Sequence, residues 1–236
     1  EITERLVGSE MCIRDSIERA NPDVILCRNL GAVYYFQDKN FELKGDFSLN
    51  VTNSVTAEYF LGKKLSSVCA SYDLNSQQLF DMVKHTGGIE VTTHQYMPSF
   101  HMEHCVFAAF LSDGKSFRDC GKPCEEHRLE LKDQFGNHHQ IKADQECRNT
   151  MFNAVPQSAA KLIPELLEKG VSEFRFEALY ERGEELSKKI IGYANLLKNQ
   201  NAELTKEIIG HIGVLEKYGL SDGSHREAEY KDRKKG

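Results

Sequence analysis

The sequence predicts an α/β fold built around a mostly parallel sheet. Two observations predict it: from residue 17 onward, short apolar runs alternate with helical stretches, and polar residues follow the apolar runs. A third observation, four cysteines in one polar segment, interrupts the alternation before its last strand. The sequence therefore predicts a parallel α/β sheet with a cysteine-rich insertion.

The first four predicted strands are compact and apolar or alternating, and a fifth follows the cysteine segment. They are residues 23–28 (DVILCR), 45–53 (GDFSLNVTN), 65–71 (LSSVCAS), 89–95 (IEVTTHQ) and 172–179 (SEFRFEAL). Residues 29–31 read as the loop that leaves the first strand. Cys27 and Cys69 lie inside apolar strands, so we expect them to be small core residues.

Four helices are predicted from apolar spacing, at residues 55–61, 76–86, 158–170 and 184–197. Thr52, Asn53 or Ser54 is expected to cap the first helix, and Asp73 or Asn75 the second. Gly170 is expected to end the third. In the last, Leu186, Ile190, Tyr193 and Leu197 share the predicted apolar face.

Five strands are too few to close a (β/α)8 barrel. They match either the C-terminal part of such a barrel, with three units preceding the chain, or an open doubly wound sheet. Periodicity does not separate the two. The chain lacks both GxGxxG and GxxxxGK[ST], so nothing supports a nucleotide-binding reading. An incomplete barrel would expose strand edges, so we expect poor solubility.

Cys105, Cys120, Cys124 and Cys147 are spaced C-x14-C-x3-C-x22-C, in a segment with few apolar side chains. Metal binding could supply the stability that such a segment lacks. The candidates are a [4Fe-4S] cluster and a structural zinc. A zinc ribbon usually has two close cysteine pairs, whereas only Cys120 and Cys124 form one here, which favours the cluster.

The formal net charge is −6, which argues against a generally basic nucleic-acid binder. Positive side chains nevertheless gather in or beside the cysteine segment: Arg118, Lys122, Arg128, Lys132, Lys142 and Arg148. Their local field could hold a phosphate backbone, with Arg118, Lys122, Arg128 and Arg148 as the RNA-contacting candidates. The alternative is an ordinary solvated surface.

Several uncommon sequence motifs occur in order along the chain: GDFSLNVTN, SYDLN, HQYMPSFHMEHCVF, DCGKPCEEHRLELKDQFG and ECRNTMFN. In these motifs the chain resembles the U32 peptidase family, the collagenase-like peptidases. It is most similar to a long-form subgroup linked to hydroxylation of ribosomal RNA. The resemblance covers roughly residues 23–179.

The resemblance implies a (β/α)8 TIM-type barrel, of which this chain would hold the C-terminal part with the cysteine-rich metal-binding segment inserted. It also implies a [4Fe-4S] cluster on Cys105, Cys120, Cys124 and Cys147. RNA-modifying members add a hydroxyl to a pyrimidine, so RNA and a prephenate-like small co-substrate become expected partners. The chain departs from the short-form peptidase pattern over residues 100–105 (FHMEHC), which weakens the peptidase expectation.

In a barrel, the loops that follow the strands form the active face. The catalytic candidates at those positions are Arg28, Asn50, Tyr72, His94 and Glu177. Arg28 has the planar donors to hold a carboxylate, and Asn50 and Asn53 could bind a base edge or a peptide. The alternative roles are structural, with Asn53 as a helix cap and Asp46 as a turn residue.

His101, Glu103 and His104 precede Cys105 directly. We expect them to orient the loop around a metal centre by hydrogen bonds. In a peptidase, Cys105 would instead be the nucleophile and one histidine its base. His127, His138 and His139 are expected in exposed loops.

The expected organisation has five parts. Residues 1–16 are set apart because SEMCIRDS resembles a translated sequencing adapter. Residues 17–98 are expected to form barrel units and residues 99–155 the insertion. Residues 156–218 are expected to form the final unit and the C-terminal helices, and residues 219–236 a disordered polar tail. No apolar run is long enough to cross a bilayer and no secretory signal opens the chain, which favours a cytoplasmic protein without membrane partners.

These observations lead to three functional hypotheses. The first is an iron–sulfur enzyme that hydroxylates a pyrimidine in ribosomal or transfer RNA. The second is a collagenase-like peptidase. The third is a non-catalytic iron–sulfur accessory protein.

Overall fold

The computed structural model describes residues 13–114, 118–145 and 147–198. The chain divides into two compact units, which are described separately. Unit 1 holds the residues up to Val91 together with Glu168–Phe174. Unit 2 holds Thr92–Leu167 and, among the described residues that follow, 175–198. Residues 1–12 of the predicted segment 1–16 and the whole predicted tail 219–236 lie outside the described residues, as does the end of the predicted unit 156–218.

The main sheet is assembled from strands that follow one another in chain order. Its strands are β1 (Val24–Cys27), β2 (Glu42–Gly45), β3 (Leu65–Cys69), β4 (Ile89–Gln95) and β10 (Glu173–Phe176), with the short β9 (Gln157–Ser158) antiparallel to β4. The pairs β1–β2, β2–β3 and β3–β4 are parallel. The chain is therefore a mixed α/β protein. The sequential order is compatible with part of a barrel, whereas a doubly wound sheet reverses its strand order.

Helices separate the parallel strands. Residues 13–20 form α1, followed by α2 (Leu30–Phe36), α3 (Ser54–Leu61), α4 (Ser76–His85), α7 (Ile163–Glu168) and α8 (Gly183–Lys198). Asn53 caps α3 by accepting from the Thr56 amide, and Asn75 forms a complete capping box with Gln78 on α4. Gly170 lies just beyond α7 at φ 87°, a left-handed conformation that glycine adopts without strain.

Two sequence-based boundaries in unit 1 were wrong. The second strand is Glu42–Gly45 rather than residues 45–53, because Phe47–Leu49 form a single 3₁₀ turn after it. Residues 29–31 are not a loop, since Asn29 caps helix α2 by accepting from the Ala32 amide. At Asn29 the side chain next to the strand end favours the turn into a helix over further extension.

The cysteine segment forms a sheet of its own in unit 2. Strands β5 (Pro98–Met102), β6 (Leu129–Lys132), β7 (His138–Ala143) and β8 (Asn149–Phe152) are antiparallel in the order β5-β8-β7-β6, accompanied by the short helices α5 (Val106–Leu111) and α6 (Pro123–Glu126). Phe107, Ile141 and Met151 are buried together between these elements. The expectation that this segment lacks a core was therefore wrong.

Helix α8 buries a different face from the predicted one. Its buried residues are Lys189, Tyr193 and Leu196, while Ile190 is 45 % exposed. The apolar spacing identified the helix but not its contact face, because Lys189 is drawn inside by a carboxylate described below. Among the residues that the structure describes, no helix is both long and apolar enough to cross a membrane.

Candidate functional site

The four clustered cysteines come from four different local structures of unit 2. Cys105 is the N-cap residue of α5, Cys120 precedes α6, Cys124 lies within α6, and Cys147 lies between β7 and β8. Cys105 and Cys124 also pack against the small core around Phe107. The antiparallel sheet and its two short helices therefore present all four thiols from one small substructure.

The thiols interact electrostatically with one another. Burial raises the pKa of Cys124, and Cys105 raises it further. Burial also raises the pKa of Cys147, to which Cys105, Cys120 and Cys124 each add. These like-charge contributions mean that neighbouring thiolates disfavour the thiolate forms of Cys124 and Cys147. A bound cation or cationic cluster core would remove that repulsion, because metal binding favours the thiolate form.

Two amides donate hydrogen bonds to sulfur. The Asn149 side-chain amide lies 3.7 Å from Cys105 Sγ, and the Lys122 backbone amide lies 3.4 Å from Cys120 Sγ. Asn149 is itself fully buried and also donates to the Cys147 carbonyl at 3.2 Å. Amide–sulfur bonds of this kind stabilise thiolates and tune iron–sulfur clusters.

The backbone at two of these positions is left-handed. Cys147 has φ 64° and Lys122 has φ 53°. Residues with a Cβ carbon adopt this region uncommonly, and doing so costs about 1–2 kcal/mol. The chain accepts this conformation at Cys147, where its thiol interacts with the other three.

The donor set fits a cluster chemically, since all four candidate ligands are soft thiols. Within residues 13–114, 118–145 and 147–198, no three His, Cys, Asp or Glu side chains lie together in an arrangement that could hold one metal ion.

His101, Glu103 and His104, which were predicted to orient the loop before Cys105, are exposed. His101 Nδ1 is hydrogen-bonded to Thr150 Oγ1 at 2.9 Å. His101, Glu103 and His104 make no hydrogen bond to a cysteine among the described residues. The predicted orienting role of these three side chains stays a prediction.

The predicted RNA-contacting residues differ in their surroundings. Lys122 pairs with Glu125 and Arg148 with Asp144, both on the surface. Arg118 is exposed. Arg128 instead lies over the ring of Tyr180, with 4.7 Å between the guanidinium carbon and the ring centroid.

The other histidines of the segment belong to β7 or precede β6. His138 and His127 are exposed, but the His139 side chain is only 19 % exposed. The predicted loop was wrong for both His138 and His139, because both lie in β7, which pairs with β6. The predicted exposure was wrong for His139 alone, whose ring turns toward Asp133.

Three of the strand-end candidates lie in unit 1. Arg28 Nε is 3.0 Å from Asp46 Oδ2, and Asp46 is only 3 % exposed. Tyr72 packs its ring against Phe47 at 5.3 Å. Asn50 is exposed with a left-handed φ of 54°. The carboxylate partner of Arg28 in this structure is therefore Asp46.

The remaining two strand-end candidates, His94 and Glu177, lie in unit 2. His94 is completely buried at the end of β4 and stacks on Phe176, with ring centroids 4.4 Å apart. Its Nε2 lies 3.1 Å from Glu181 Oε1, to which it donates, and its Nδ1 lies 3.3 Å from the Tyr193 hydroxyl. Glu177 is half-buried and lies 3.3 Å from Arg175.

Sequence reasoning missed the partners of His94. Glu181 is 4 % exposed and also accepts from the amides of Leu179 and Tyr180 and from Lys189 Nζ at 3.3 Å. Burial alone would raise its pKa, but the His94 bond, backbone amides and Lys189 outweigh burial and lower it to about 2. The sequence offered one weak signal, a lysine beside the predicted apolar face of α8 and four residues before Tyr193 of that face.

These observations define a mixed α/β protein in which four thiols lie in the helices and loops that accompany an antiparallel sheet. The family model for peptidase family U32 matches residues 11–229. The chain belongs to that family. No curated protein and no solved structure matches it.

Proposed function

We propose that this U32 family member is an iron–sulfur-dependent RNA-modifying enzyme that hydroxylates a pyrimidine. In this proposal the parallel sheet is the C-terminal part of a (β/α)8 barrel of the long-form subgroup. Cys105, Cys120, Cys124 and Cys147 hold a [4Fe-4S] cluster, and zinc is the alternative metal.

The observation that carries the proposal is that the other three cysteines all raise the pKa of Cys147. Cys147 is affected by all three of the other cysteines, although they come from separate loops and helices. Amide donors already point at Cys105 and Cys120 sulfur. A peptidase would need a base beside its nucleophile instead. Among the described residues, no histidine is hydrogen-bonded to Cys105.

The protein side chains have separate tasks in this proposal. A cluster supplies electron transfer or a Lewis-acidic site for substrate when bound. Asn149 holds Cys105 and the Cys147 carbonyl in place from one buried amide. Arg118, Lys122, Arg128 and Arg148 offer positive charge to an RNA backbone, and Lys122 and Arg148 also pair with Glu125 and Asp144. The RNA substrate and a prephenate-like co-substrate follow from the family resemblance.

The cluster is tested by anaerobic purification of the full chain with iron and sulfide quantification. We expect a brown protein with about four irons per chain. Serine replacement of each of the four cysteines should lower the iron content, whereas Cys69→Ser is the matched control because Cys69 is fully buried in β3. A colourless protein with one zinc per chain would refute the cluster and favour zinc as the bound metal.

The RNA activity is tested by mass spectrometry of ribosomal and transfer RNA nucleosides from a deletion strain. We expect one hydroxylated pyrimidine to be missing, restored by the wild-type gene and not by Cys147→Ser. Unchanged nucleosides would refute the RNA proposal and leave the cluster result unaffected. A stable co-purifying partner under those conditions would favour the accessory-protein hypothesis.

Peptidase activity is the second candidate because the family carries that name. It predicts gelatin cleavage that Cys105→Ala abolishes. Cleavage that depends on Cys105 but not on Cys147 would favour a nucleophile over a ligand. Cleavage that survives Cys105→Ala would exclude a Cys105 mechanism.

A further inference from the structure

Helix α8 of unit 2 carries apolar side chains on two opposite faces. Lys189, Tyr193 and Leu196 are buried on the inner face. Ile191 lies on the opposite side of the helix, because each residue turns the helix by about 100°. Its side chain is 58 % exposed, and that of the neighbouring Ile190 is 45 % exposed. A partner that covered these two isoleucines would gain free energy by removing them from water.

The exposed residues of this outer face are arranged symmetrically about Ile191. Glu184 lies seven residues before Ile191 and Lys198 lies seven residues after it, and all three are exposed. Seven residues are close to two helical turns, so the three side chains share one face. Ser187 and Asn195, both exposed, lie four residues to either side. The face therefore has an acid at one end, a base at the other and an isoleucine at its centre.

A second copy of α8 in antiparallel orientation complements this pattern. With the two-fold axis at Ile191, each Ile191 meets the same residue of the other copy, and each Glu184 faces Lys198 of the other copy. Ser187 and Asn195 face each other in the same way, as polar groups that can hydrogen-bond. A parallel pair would instead place acid against acid and base against base, which disfavours that orientation.

The charged ends of the face are available for such a contact. Lys198 makes no ion pair and no hydrogen bond within the part of the chain that the structure describes. Glu184 pairs with Lys188 at 2.8 Å, but its side chain stays 82 % exposed, so a second cation can approach it.

The residues beside the axis are small enough for the helices to approach closely. Across the two-fold axis, Ile190 would face Gly192 of the other copy, and Lys188 would face Ala194. The distance between packed helices depends on the size of the side chains at the contact. Glycine and alanine therefore leave room for the isoleucine side chains of the other copy.

We propose that this protein forms a two-fold dimer in which the outer faces of two α8 helices pack antiparallel. The partner is a second copy of the chain, because one face supplies both members of each complementary pair, as a two-fold contact requires. The 16 residues of α8 span about 24 Å, so the interface is small and the dimer forms only at elevated concentration. The proposal does not rest on the proposed function, because no candidate metal ligand or RNA-contacting residue lies on α8.

Association is measured by analytical ultracentrifugation of the full chain at low salt, over a hundredfold range of protein concentration. We expect the average mass to rise from one chain toward two and no further. Ile191→Asp should weaken association at least tenfold, because it places a charge at the centre of the contact. The matched control is Val55→Asp, which introduces the same charge at a side chain that is 74 % exposed on α3 of unit 1. It should change association less than twofold.

The antiparallel arrangement is tested by exchanging the charges. Glu184→Lys and Lys198→Glu should each weaken self-association at least threefold, because each places like charges opposite one another. An equimolar mixture of the two variants should associate within twofold of wild type, since one variant then carries two bases and the other two acids. Raised salt should weaken the mixed dimer, because the restored contacts are between charges on the surface.

Three results would overturn the proposal. The first is a monomer at every concentration, which would assign this face to residues beyond Lys198 or to a different protein. The second is equal association of Ile191→Asp and wild type. The third is a mixture of the two charge variants that associates no more tightly than either variant alone.

Discussion

Glu181 is a buried carboxylate that stays ionised because four donors surround it. His94 and Lys189 approach one carboxylate oxygen, and the amides of Leu179 and Tyr180 approach the other. Breaking such a group by removing one partner leaves an uncompensated buried charge. The Glu181 carboxylate therefore links the end of β4 to helix α8.

The ionisation of Glu181 makes stability depend on pH. Its pKa falls from 4.5 to about 2 on folding, so its contribution is complete above pH 4.5 and is lost as the pH falls toward 2. The shift corresponds to about 3 kcal/mol. We expect the free energy of unfolding of Glu181→Gln to decline less than that of wild type between pH 5 and pH 2, measured by urea denaturation.

The control for this prediction is Glu184→Gln. Glu184 lies three residues further on, in the first turn of α8, and pairs with Lys188, but its side chain is 82 % exposed. A surface pair of this kind contributes little to stability. Equal acid sensitivity in wild type and Glu181→Gln would show that Glu181 does not carry the pH dependence.

Gly45 is a second residue whose identity depends on packing, because its surroundings leave no room for a side chain. A Cβ carbon at Gly45 would lie 2.9 Å from Leu49 Cδ1 and 3.0 Å from Val68 Cγ1. We expect Gly45→Ala to destabilise the protein by about 1–3 kcal/mol, the usual cost of overpacking a core. Thermal melting measures it, with Gly87→Ala as the control because a Cβ there meets nothing within 4 Å.

At the scale of elements, sequence patterns succeeded where local chemistry decides the structure. The capping box at Asn75 and the apolar spacing of Leu79, Met82 and Val83 specify α4 without help from the rest of the chain. The edges of β2 and α2 could not be found in this way. Leu43 and Gly45 alternate too briefly to reveal a strand, and the cap at Asn29 resembles a loop.

The candidate site was predictable only in part for a related reason. Cysteine is rare enough that four in one segment stand out, and in the structure the other three raise the pKa of Cys147; that the four hold a metal stays a prediction. The His94–Glu181 pair joins residues 87 positions apart, and neither residue type is unusual in sequence. Glu181 was therefore missed, although His94 was named from its position at a strand end.

The small core of the antiparallel sheet depends on Phe107. This side chain is 2 % exposed and packs with Ile141 and Met151. We expect Phe107→Ala to destabilise unit 2 by about 3–5 kcal/mol, as for other buried phenylalanines, and to lower iron content, since Cys105 and Cys124 contact the same core. Denaturation and iron analysis together measure this.

Phe110→Ala is the matched control for the core prediction, being the same substitution on the same short helix. Phe110 is 79 % exposed, so its loss removes little buried area. Similar destabilisation by both substitutions would show that the Phe107 cluster is not what holds the antiparallel sheet.

At the scale of the whole molecule, the two units should respond differently to loss of a metal centre. All four cysteines belong to unit 2, whereas β1, β2 and β3 belong to unit 1. Removal of a structural metal destabilises the segment whose folding it supports. We expect hydrogen exchange after chelation to speed up in β5–β8 and to change less than twofold in β1–β3. A uniform increase across both sets of strands would contradict this localisation.

At Cys147, folding and ligand binding favour different residues. The left-handed backbone there favours glycine, whereas ligand binding needs the cysteine sulfur. Glycine would relax φ 64° at that position, so Cys147→Gly is the replacement among the four that would ease the metal-free backbone while removing a thiol. Selection for thermal stability alone would therefore favour glycine, and only selection for the sulfur would retain cysteine there.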